Sequence, residues 1–473
     1  MPAGNTSPRI PLFIDEPVPT HKRSHGSWST RWHRHVEHHP RPWNIISSTM
    51  MLYAINAMST SQRFDEYLEH LSQGFRHKHH IVGLRDYCTG LMRPLERKST
   101  NAIAENLQPA RAEAMRQALH HFVARAPWCD EELLTQVARW VTPQMAGLSR
   151  SGWWIIGCNT FPKRGSQPVG VARQNHGASA RYDKCQIAVS VSLACESASL
   201  PVGWRLYLPR AWADDPIRRR KAGVPADVQF ATRPKLALQQ IERLLAAGSP
   251  SRPVLADVGY GMDPDFRQGL IDLGLPYVLG VTSQARVWRP QAESLPSTGY
   301  RETGRLPSQT WRTAGHYPIS VRALAMELPA HALQTISWRE GNGNLRSSRF
   351  GVARVQYADS YACWSRLQPL QWLLLKWPLG EPEPVRYWLS TLPEDTSINE
   401  LVSAAHYHWR TDRDHEELRQ DFGLDHYSGR GWRGFHHHAT LCTASYGFHL
   451  GERLASERDL ASRRLSIYPE PGV

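Results

Sequence analysis

Two aspartates of this chain have the residue type and the setting that metal-assisted chemistry requires. Asp257 ends an apolar run, Val254–Ala256, which is typical of a buried strand. Asp412 lies in a helical pattern with Glu416 and Arg419, which follow one and two turns later on the same face. Carboxylates on neighbouring strands and a helix can hold two Mg²⁺ ions that hydrolyse or transfer a phosphodiester, because Mg²⁺ prefers hard oxygen ligands.

Each of these aspartates also has a purely structural interpretation. A single Asp at the end of a strand commonly caps a helix or forms a turn, and Gly259 and Gly261 follow Asp257 closely. The helix face of Asp412 is also typical of a solvated stripe of salt bridges. From the residues alone, both interpretations remain open.

A third carboxylate is missing where a neighbouring strand should display one. Trp153–Ile156 predicts a buried strand, and a turn is expected at Pro162–Gly165. The residues at the predicted strand end are Gly157, Cys158 and Asn159. Neither Gly157 nor Cys158 supplies an oxygen ligand, and Asn159 supplies only a neutral one. The ability to cut a phosphodiester therefore depends on these three positions.

The composition favours a polyanionic partner. Among 473 residues, 56 Lys+Arg outweigh 43 Asp+Glu, which gives a formal net charge of +13 and a pI near 9.6. Such a balance suits nucleic acid, and a basic protein without nucleic acid is the alternative. The seven cysteines contain no Cys-x-x-Cys pair, so neither a zinc ribbon nor a disulfide framework is predicted. No apolar run approaches the roughly 20 residues of a membrane helix, and we expect a cytoplasmic protein with no membrane partner.

Several basic and aromatic residues are candidates for contact with DNA. They are Lys163, Arg164, Arg419, Arg430, Trp432 and Arg433. The run Arg218–Lys221 either follows a DNA backbone or forms a plain solvated face. For His436–His438 we expect packing or phosphate contact, and metal binding is the less favoured alternative.

The middle of the chain alternates strands and helices. We predict strands at Trp153–Ile156, Gln186–Ala194, Trp204–Leu208, Pro253–Val258 and Tyr277–Val281, and helices at Pro234–Ala247 and Pro264–Leu273. Three antiparallel strands followed by a parallel pair, with helices packed on them, form the ribonuclease-H-like arrangement. The fold class predicted is therefore α/β, with a ribonuclease-H-like mixed sheet.

The C-terminal half is predicted to add β structure and then helices. Strands or turns are expected at Val321–Leu328, Gly341–Asn344, Arg349–Val355, Leu373–Trp377 and Tyr387–Leu392. One long helix is expected from Ser397 to Asp421, opened by a capping box of Ser397 and Glu400. A last helix is expected at Ala439–Ser456.

The changes in composition along the chain predict five segments. Residues 1–57 are rich in His, Pro, Arg and Ser, and we expect either a disordered extension or a chain whose translation starts at Met58 instead of Met1. The other segments are a helical DNA-binding-type domain at 58–150, the first part of the ribonuclease-H-like core at 151–282, a β-rich insertion at 283–395 and C-terminal core helices at 396–473. In the helical domain, Ser99 and Asp130 are expected as helix N-caps.

From about Gln62 to Leu454 the chain resembles bacterial insertion-sequence transposases of the DDE superfamily, in the IS seven-oh-one branch. The segments that carry the resemblance are Tyr87–Met92, Glu96–Ser99, Phe161–Gly165, Val169–Gln174, Asp183–Gln186, Leu208–Trp212, Ala256–Gly261, Gly423–Tyr427 and Gly429–His438. The resemblance implies double-stranded DNA of transposon ends as the partner. It also implies cleavage and strand transfer with Mg²⁺ or Mn²⁺, or no metal if the activity has been lost.

At the first acidic motif the chain departs from the family pattern. The family sequence Asp-Asp-Thr-Gly-Phe-Pro-Lys places its acidic pair on Gly157 and Cys158, and its Thr on Asn159. The second acidic position is intact as Asp257. The third, a Glu in the family, falls on Asp412, which keeps the charge and shortens the side chain by one methylene.

Other changes are found close to these positions. The family Arg four residues before the last acid is His408, an acidic residue after His-Tyr is Ser428, and the basic residue further along the helix is Arg419. We therefore expect a transposase-family protein that binds element-end DNA and is catalytically impaired or inactive. An active DDE transposase is the alternative, and a homodimer is compatible with either. In both cases Gly157–Thr160, Asp257 and the helix around Asp412 should converge, with Asp257 and Asp412 as the remaining catalytic and metal-binding residues.

Overall fold

A mixed β-sheet organises this computed structural model, which describes residues 59–145, 152–176, 181–288, 318–339, 345–358 and 369–467. The predicted extension at 1–57 and the predicted turn at Gly341–Asn344 lie outside the described residues. In this part of the chain the sheet has twelve strands, and its main path runs β2-β3-β1-β5-β6-β12-β11-β10-β7-β8, with β4 on β3 and β9 on β10.

Helices precede the sheet in the chain. They are α1 (Thr60–Ser72), α2 (Lys78–Met92), α3 (Thr100–Leu107), α4 (Ala112–Ala124) and α5 (Asp130–Val141), with short 3-10 turns at Pro109–Arg111 and Thr142–Gln144. Ser99 caps α3 as predicted, since its side chain accepts a hydrogen bond from Ala102 N. Asp130 is not the cap of α5. Cys129 holds that position, and Asp130 is the first helical residue, where a carboxylate is favoured by the helix dipole.

The ribonuclease-H-like part of the sheet contains six strands. They are β1 (Trp153–Pro162), β2 (Ala172–His176), β3 (Arg181–Ala194), β4 (Ser199–Leu206), β5 (Val254–Ala256) and β6 (Tyr277–Val281). β3 pairs antiparallel with both β1 and β4, and β1, β5 and β6 are parallel neighbours. The predicted order of antiparallel strands followed by a parallel pair is therefore confirmed. β1 is longer than predicted, because Gly157–Pro162 continues the ladder with β3.

Short and long helices connect and cover these strands. They are α6 (Arg210–Ala213), α7 (Pro216–Ala222), α8 (Arg233–Ala246), α9 (Val258–Gly261) and α10 (Pro264–Asp272). Alternate residues of β1 face opposite sides of the sheet. Trp154 and Ile156 belong to the hydrophobic cluster that includes Ile241 of α8. Trp153 and Ile155 belong to a second cluster on the other side.

The later strands extend the same sheet. They are β7 (Arg286–Trp288), β8 (Ile319–Ser320), β9 (Gln334–Arg339), β10 (Leu345–Tyr357), β11 (Leu370–Lys376) and β12 (Arg386–Ser390), and β12 pairs antiparallel with β6. The strand predicted at Val321–Leu328 is wrong, because this run forms α11 (Val321–Met326), followed by a 3-10 turn at Ala330–Ala332. Ser320 caps α11, and Val321, Leu324 and Ala325 bury one helical face.

Three C-terminal helices complete the described fold, with a 3-10 turn at Leu424–His426. They are α12 (Ile398–His406), α13 (His408–Gln420) and α14 (Trp432–Ile467). The capping box of Ser397 and Glu400 is confirmed. The single long helix predicted from Ser397 to Asp421 is wrong, because a turn at Tyr407 separates α12 from α13. α14 is longer than predicted at both ends and contacts α2, α5 and β4, so it joins the N-terminal helices to the sheet.

Of the helices in the described residues, none combines the length and the apolar character that a bilayer crossing needs.

Candidate active site

Three elements bring the predicted site residues together. β1 and β5 are parallel neighbours whose register pairs Ile155 with Leu255, so Gly157 and Asp257 follow at the same level of the sheet. Asp257 stands directly before α9, yet its side chain makes no capping hydrogen bond and is 72% exposed. The capping role that a lone Asp at a strand end often has is therefore not what this carboxylate does.

The first turn of α13 faces the end of β5. His408 Nε2 lies 3.5 Å from Asp257 Oδ1, and Asp412 follows His408 by one helical turn. The Asp412 side chain reaches solvent, but the protein atoms around its carboxylate partly desolvate it and thereby raise its pKa. The charge of His408 opposes this increase in pKa, and the negative charge of Asp257 adds to it. Asp257 and Asp412 thus lie in one electrostatic neighbourhood, as the sequence predicted.

A neutral polar group occupies the neighbouring part of β1. Asn159 is 2% exposed, and its Nδ2 donates to Ser190 Oγ at 3.0 Å. Ser190 Oγ lies 3.4 Å from Nε2 of His415, which comes from the same stripe of α13 as His408 and Asp412. Burial lowers the pKa of His415 to about 3, so its ring is neutral near pH 7. These side chains carry no charge that could balance a metal ion.

Cys158 belongs to the opposite side of the sheet. Gly157 and Asn159 face α13, and the side chain between them points the other way, as strand alternation requires. Arg233 Nη1 donates to Cys158 Sγ at 3.6 Å, at the start of α8. An acid at residue 158 would therefore face Arg233, whereas an acid at residue 157 would face α13.

Two of the predicted DNA-contacting cations converge on an acidic residue of the protein itself. Arg419 Nε lies 3.4 Å from Asp425 Oδ1. Lys163 Nζ donates to Tyr427 O at 2.8 Å. Burial lowers the pKa of Lys163, and the charge of Asp425 opposes the shift. Lys163 and Arg419 therefore tie β1 and α13 to the segment that precedes α14.

The other candidates for DNA contact divide into exposed and buried residues. Arg164, Arg430 and Arg433 are exposed, and Arg433 Nη1 donates to Arg125 O at 2.8 Å. Trp432 is only 5% exposed, and its ring packs near that of His436. The DNA contact predicted for Trp432 does not fit this position, because the first turn of α14 directs the indole into the core.

The three consecutive histidines are packing residues. His436 Nδ1 bonds to Trp432 O, and its Nε2 accepts from Leu206 N. His437 lies between Val123 O and Trp128 O. His438 bonds to Tyr87 Oη and Gly423 O. The three rings point to different partners in the core, which confirms the packing interpretation.

Ser190 and His415 are the site residues that sequence reasoning missed. Ser190 lies in Val189–Ser192, where serine and valine alternate within a long apolar strand. That alternation is a weak local signal of a polar group on one face of the sheet. His415 gave no such signal, because its neighbours Asp414 and Glu416 made α13 resemble a solvated helix.

Comparison with known proteins agrees with this geometry. A family model described as DDE superfamily endonuclease matches residues 70–344, more than half of the chain. The chain belongs to this superfamily of endonucleases, whose ribonuclease-H-like fold was predicted from its sequence.

A curated relative narrows the resemblance to insertion-sequence transposases. The chain is 27% identical over 228 residues to the probable transposase for insertion sequence element IS701 of Microchaete diplosiphon. The match covers 48% of this chain and 56% of that protein, so the chain spans about half the length of this relative.

Endonucleases of this superfamily generally use divalent metal ions. The residues present here do not fit a two-metal centre. Asp257 and Asp412 supply carboxylates, but the strand position beside them carries Gly157, and the described side chains around it, Asn159, Ser190 and His415, are neutral. Among the residues that the structure describes, no three His, Cys, Asp or Glu side chains form a group that could hold a metal ion.

Proposed function

We propose that this protein binds the double-stranded DNA of insertion-element ends and is impaired or inactive in metal-dependent cleavage. The observation that carries the proposal is the pairing of an intact Asp257 with Gly157 at the same level of the adjacent strand. The element that should add the first carboxylate is present and correctly paired, but the carboxylate is missing.

Charge balance explains why this loss matters. Two divalent cations bring four positive charges, and Asp257 and Asp412 bring two negative ones. Replacing a third carboxylate by neutral groups weakens metal affinity and the stabilisation of the leaving oxygen.

Exposed basic residues of three segments support DNA binding. The loop after β1 and the segment before α14 are joined, since Val169 N donates to Arg430 O at 3.0 Å. Arg218 Nη2 donates to Ser166 O at 3.4 Å, which places α7 beside the same loop. We name this group of exposed side chains the basic surface; it consists of Arg164, Arg220, Lys221 and Arg430.

Two arginines of the basic run in α7 make contacts within the protein. Arg219 Nη2 donates to Val228 O at 2.6 Å and to Pro225 O at 3.1 Å, so this guanidinium closes the loop after α7. Arg218 lies over the ring of Trp212, 3.8 Å from its centroid. Of this run, only Arg220 and Lys221 are exposed and therefore assigned to the basic surface.

A binding and nicking assay on one DNA substrate tests both halves of the proposal. The substrate is a duplex that carries the ends of the element encoding this chain, incubated with Mg²⁺ or Mn²⁺. We expect a shifted protein–DNA complex and no nicked product. Cleavage by the unaltered protein that disappears in Asp257→Ala would instead establish the alternative, an active DDE transposase. A failure to bind any duplex at low salt would overturn the DNA-binding half.

A further inference from the structure

The space beside Gly157 is already filled. A Cβ atom added to Gly157 would lie 2.6 Å from Ser190 Oγ and 3.0 Å from His415 Cε1. Carbon–carbon contacts are optimal near 3.5–4.0 Å, so a side chain could enter only if these atoms moved. Gly157 is not among the glycines with positive φ. Its neighbours, and not its backbone conformation, exclude a side chain here.

The two groups that fill this space are held in place from other directions. Ser190 is fully buried, faces Gly157 in the register of β1 and β3, and accepts the hydrogen bond from Asn159. His415 is 6% exposed, and its ring centroid lies 5.6 Å from that of Trp204. Neither group is the free end of a flexible surface side chain, so neither can turn away without disturbing the core.

We infer that Ser190 and His415 have closed the position of the first metal-binding carboxylate, so that Gly157→Asp alone does not restore it. Restoration requires removal of the Ser190 hydroxyl and the His415 ring in the same protein. We call this occupation of the ligand position the closure. Its catalytic meaning rests on the proposed function, because it concerns a ligand that the proposed function takes as lost. With the closure in place, no single substitution restores that ligand. Replacing Gly157 and Cys158 by the acidic pair of the family pattern is therefore obstructed at residue 157.

An acid at residue 158 would not take the place of the acid that is obstructed at residue 157. Cys158 lies on the other side of the sheet, where its Sγ contacts Arg233. An aspartate at residue 158 would form an ion pair with that guanidinium, on the side away from α13 and Asp412. Of these two positions, residue 157 is therefore the one from which a side chain would face α13 and Asp412.

Thermal unfolding of matched variants tests the closure without DNA. We expect Gly157→Asp to lower the unfolding midpoint by about 2 to 5 °C, the effect of overpacking a core. Gly165→Asp is the matched control, because a Cβ at Gly165 would meet nothing within 4 Å. In a Ser190→Ala, His415→Ala background, adding Gly157→Asp should cost less than it does in the native chain. If Gly157→Asp does not fold, Gly157→Ala probes the same space with one methyl group.

Mn²⁺ binding, followed by electron paramagnetic resonance, is the second measurement. We expect no specific Mn²⁺ binding by the native chain or by Gly157→Asp. The combined Gly157→Asp, Ser190→Ala, His415→Ala protein should bind Mn²⁺, and Asp257→Ala in that protein should abolish the binding.

Two results would overturn the inference: an unchanged midpoint for Gly157→Asp or Gly157→Ala, or specific Mn²⁺ binding by the Gly157→Asp single variant. Neither result depends on DNA. Cleavage of element ends by the native chain would instead overturn the proposed loss of activity, so the two failures are distinguishable.

Discussion

His408 Nε2 lies 3.5 Å from Asp257 Oδ1, across the gap between the start of α13 and the end of β5. The two residues are far apart in the sequence, and this contact brings the first turn of α13 beside the end of β5. Asp412 and His415 follow on the same helical stripe, so Asp412 is directed toward Asp257 and His415 toward Gly157. One helix thus presents both a remaining carboxylate and the ring that closes the position of a lost one.

DNA binding should depend strongly on salt. Because the chain carries a net charge of +13 and exposes the basic surface, affinity for duplex DNA should fall by about 10-fold or more between about 50 mM and about 200 mM salt. Fluorescence anisotropy at several salt concentrations measures this slope. Arg164→Ser with Arg430→Ser should make the slope shallower. Arg322→Ser, which removes an exposed arginine paired with Glu383, is the control. Affinity independent of salt would argue against nucleic acid as the partner.

Neutralising the remaining carboxylates should strengthen DNA binding. Without a tightly held cation, Asp257 and Asp412 repel the phosphates of DNA that lies over the site. We therefore expect Asp257→Asn and Asp412→Asn each to raise affinity severalfold at low salt, measured by anisotropy without added divalent metal. Asp395→Asn, at an exposed position before α12, should leave affinity unchanged. Weaker binding by the first two variants would mean that these carboxylates help to hold DNA, for example through a bound cation.

The fold should lose stability as the pH falls below about 6.5. Burial lowers the pKa of His415 and His436 to about 3, and that of His437 and His438 to about 4. In the unfolded chain these rings take up protons near their ordinary pKa of 6.5, whereas in the folded protein they stay neutral. Between the lowered pKa values and pH 6.5, the unfolded state therefore binds more protons than the folded state. The stability that these neutral rings contribute is fully present above about pH 6.5 and decreases as the pH falls below it.

Urea unfolding between pH 5 and pH 8 measures this decrease. His438→Asn should make it shallower, because one buried ring is removed, although this variant also loses the contacts of His438 with Tyr87 and Gly423. His331→Asn, in an exposed 3-10 turn, is the control. A stability that is constant from pH 8 to pH 5 would contradict the neutral state of these rings.

The buried carboxyl group of Asp414 should change the pH dependence of stability in the direction opposite to that of the histidines. It is 2% exposed, and burial raises its pKa to about 7, against the hydrogen bond with Tyr446 and the charge of Arg410. The folded protein therefore binds more protons than the unfolded chain between about pH 4 and pH 7, so this group lowers stability as the pH rises through that window. Asp414→Asn should be the more stable protein at pH 8, by about 1 to 3 kcal/mol, with the difference shrinking toward pH 4.

Denaturant unfolding of native protein and Asp414→Asn at pH 4, 6 and 8 checks this sign. Asp421→Asn, at the exposed end of α13, provides the comparison. The opposite result would be a stability of Asp414→Asn, relative to the native chain, that is lower at pH 8 than at pH 4. It would mean that the Asp414 carboxylate is charged in the folded protein and stabilised by Arg410 and Arg453.

Local sequence patterns were sufficient for much of the architecture. Tyr277–Val281 is a strand with the predicted bounds, and Ser99 and Ser397 cap helices as predicted, because capping depends on a few adjacent residues. The prediction of β structure at Val321–Leu328 is wrong, since a short apolar run is compatible with either a strand or a helix. The turn at Tyr407 also gave no local signal, because its surroundings are helical on both sides.

The residue types alone show which chemical group the site lacks, because no carboxylate is present at Gly157, Cys158 or Asn159. What takes the place of that carboxylate becomes visible only in the folded protein. Ser190 and His415 come from a strand and a helix distant in the chain, and their approach to Gly157 depends on the pairing of β1 with β3 and on the packing of α13. A close contact of this kind follows from long-range packing, which residue type and local spacing do not encode.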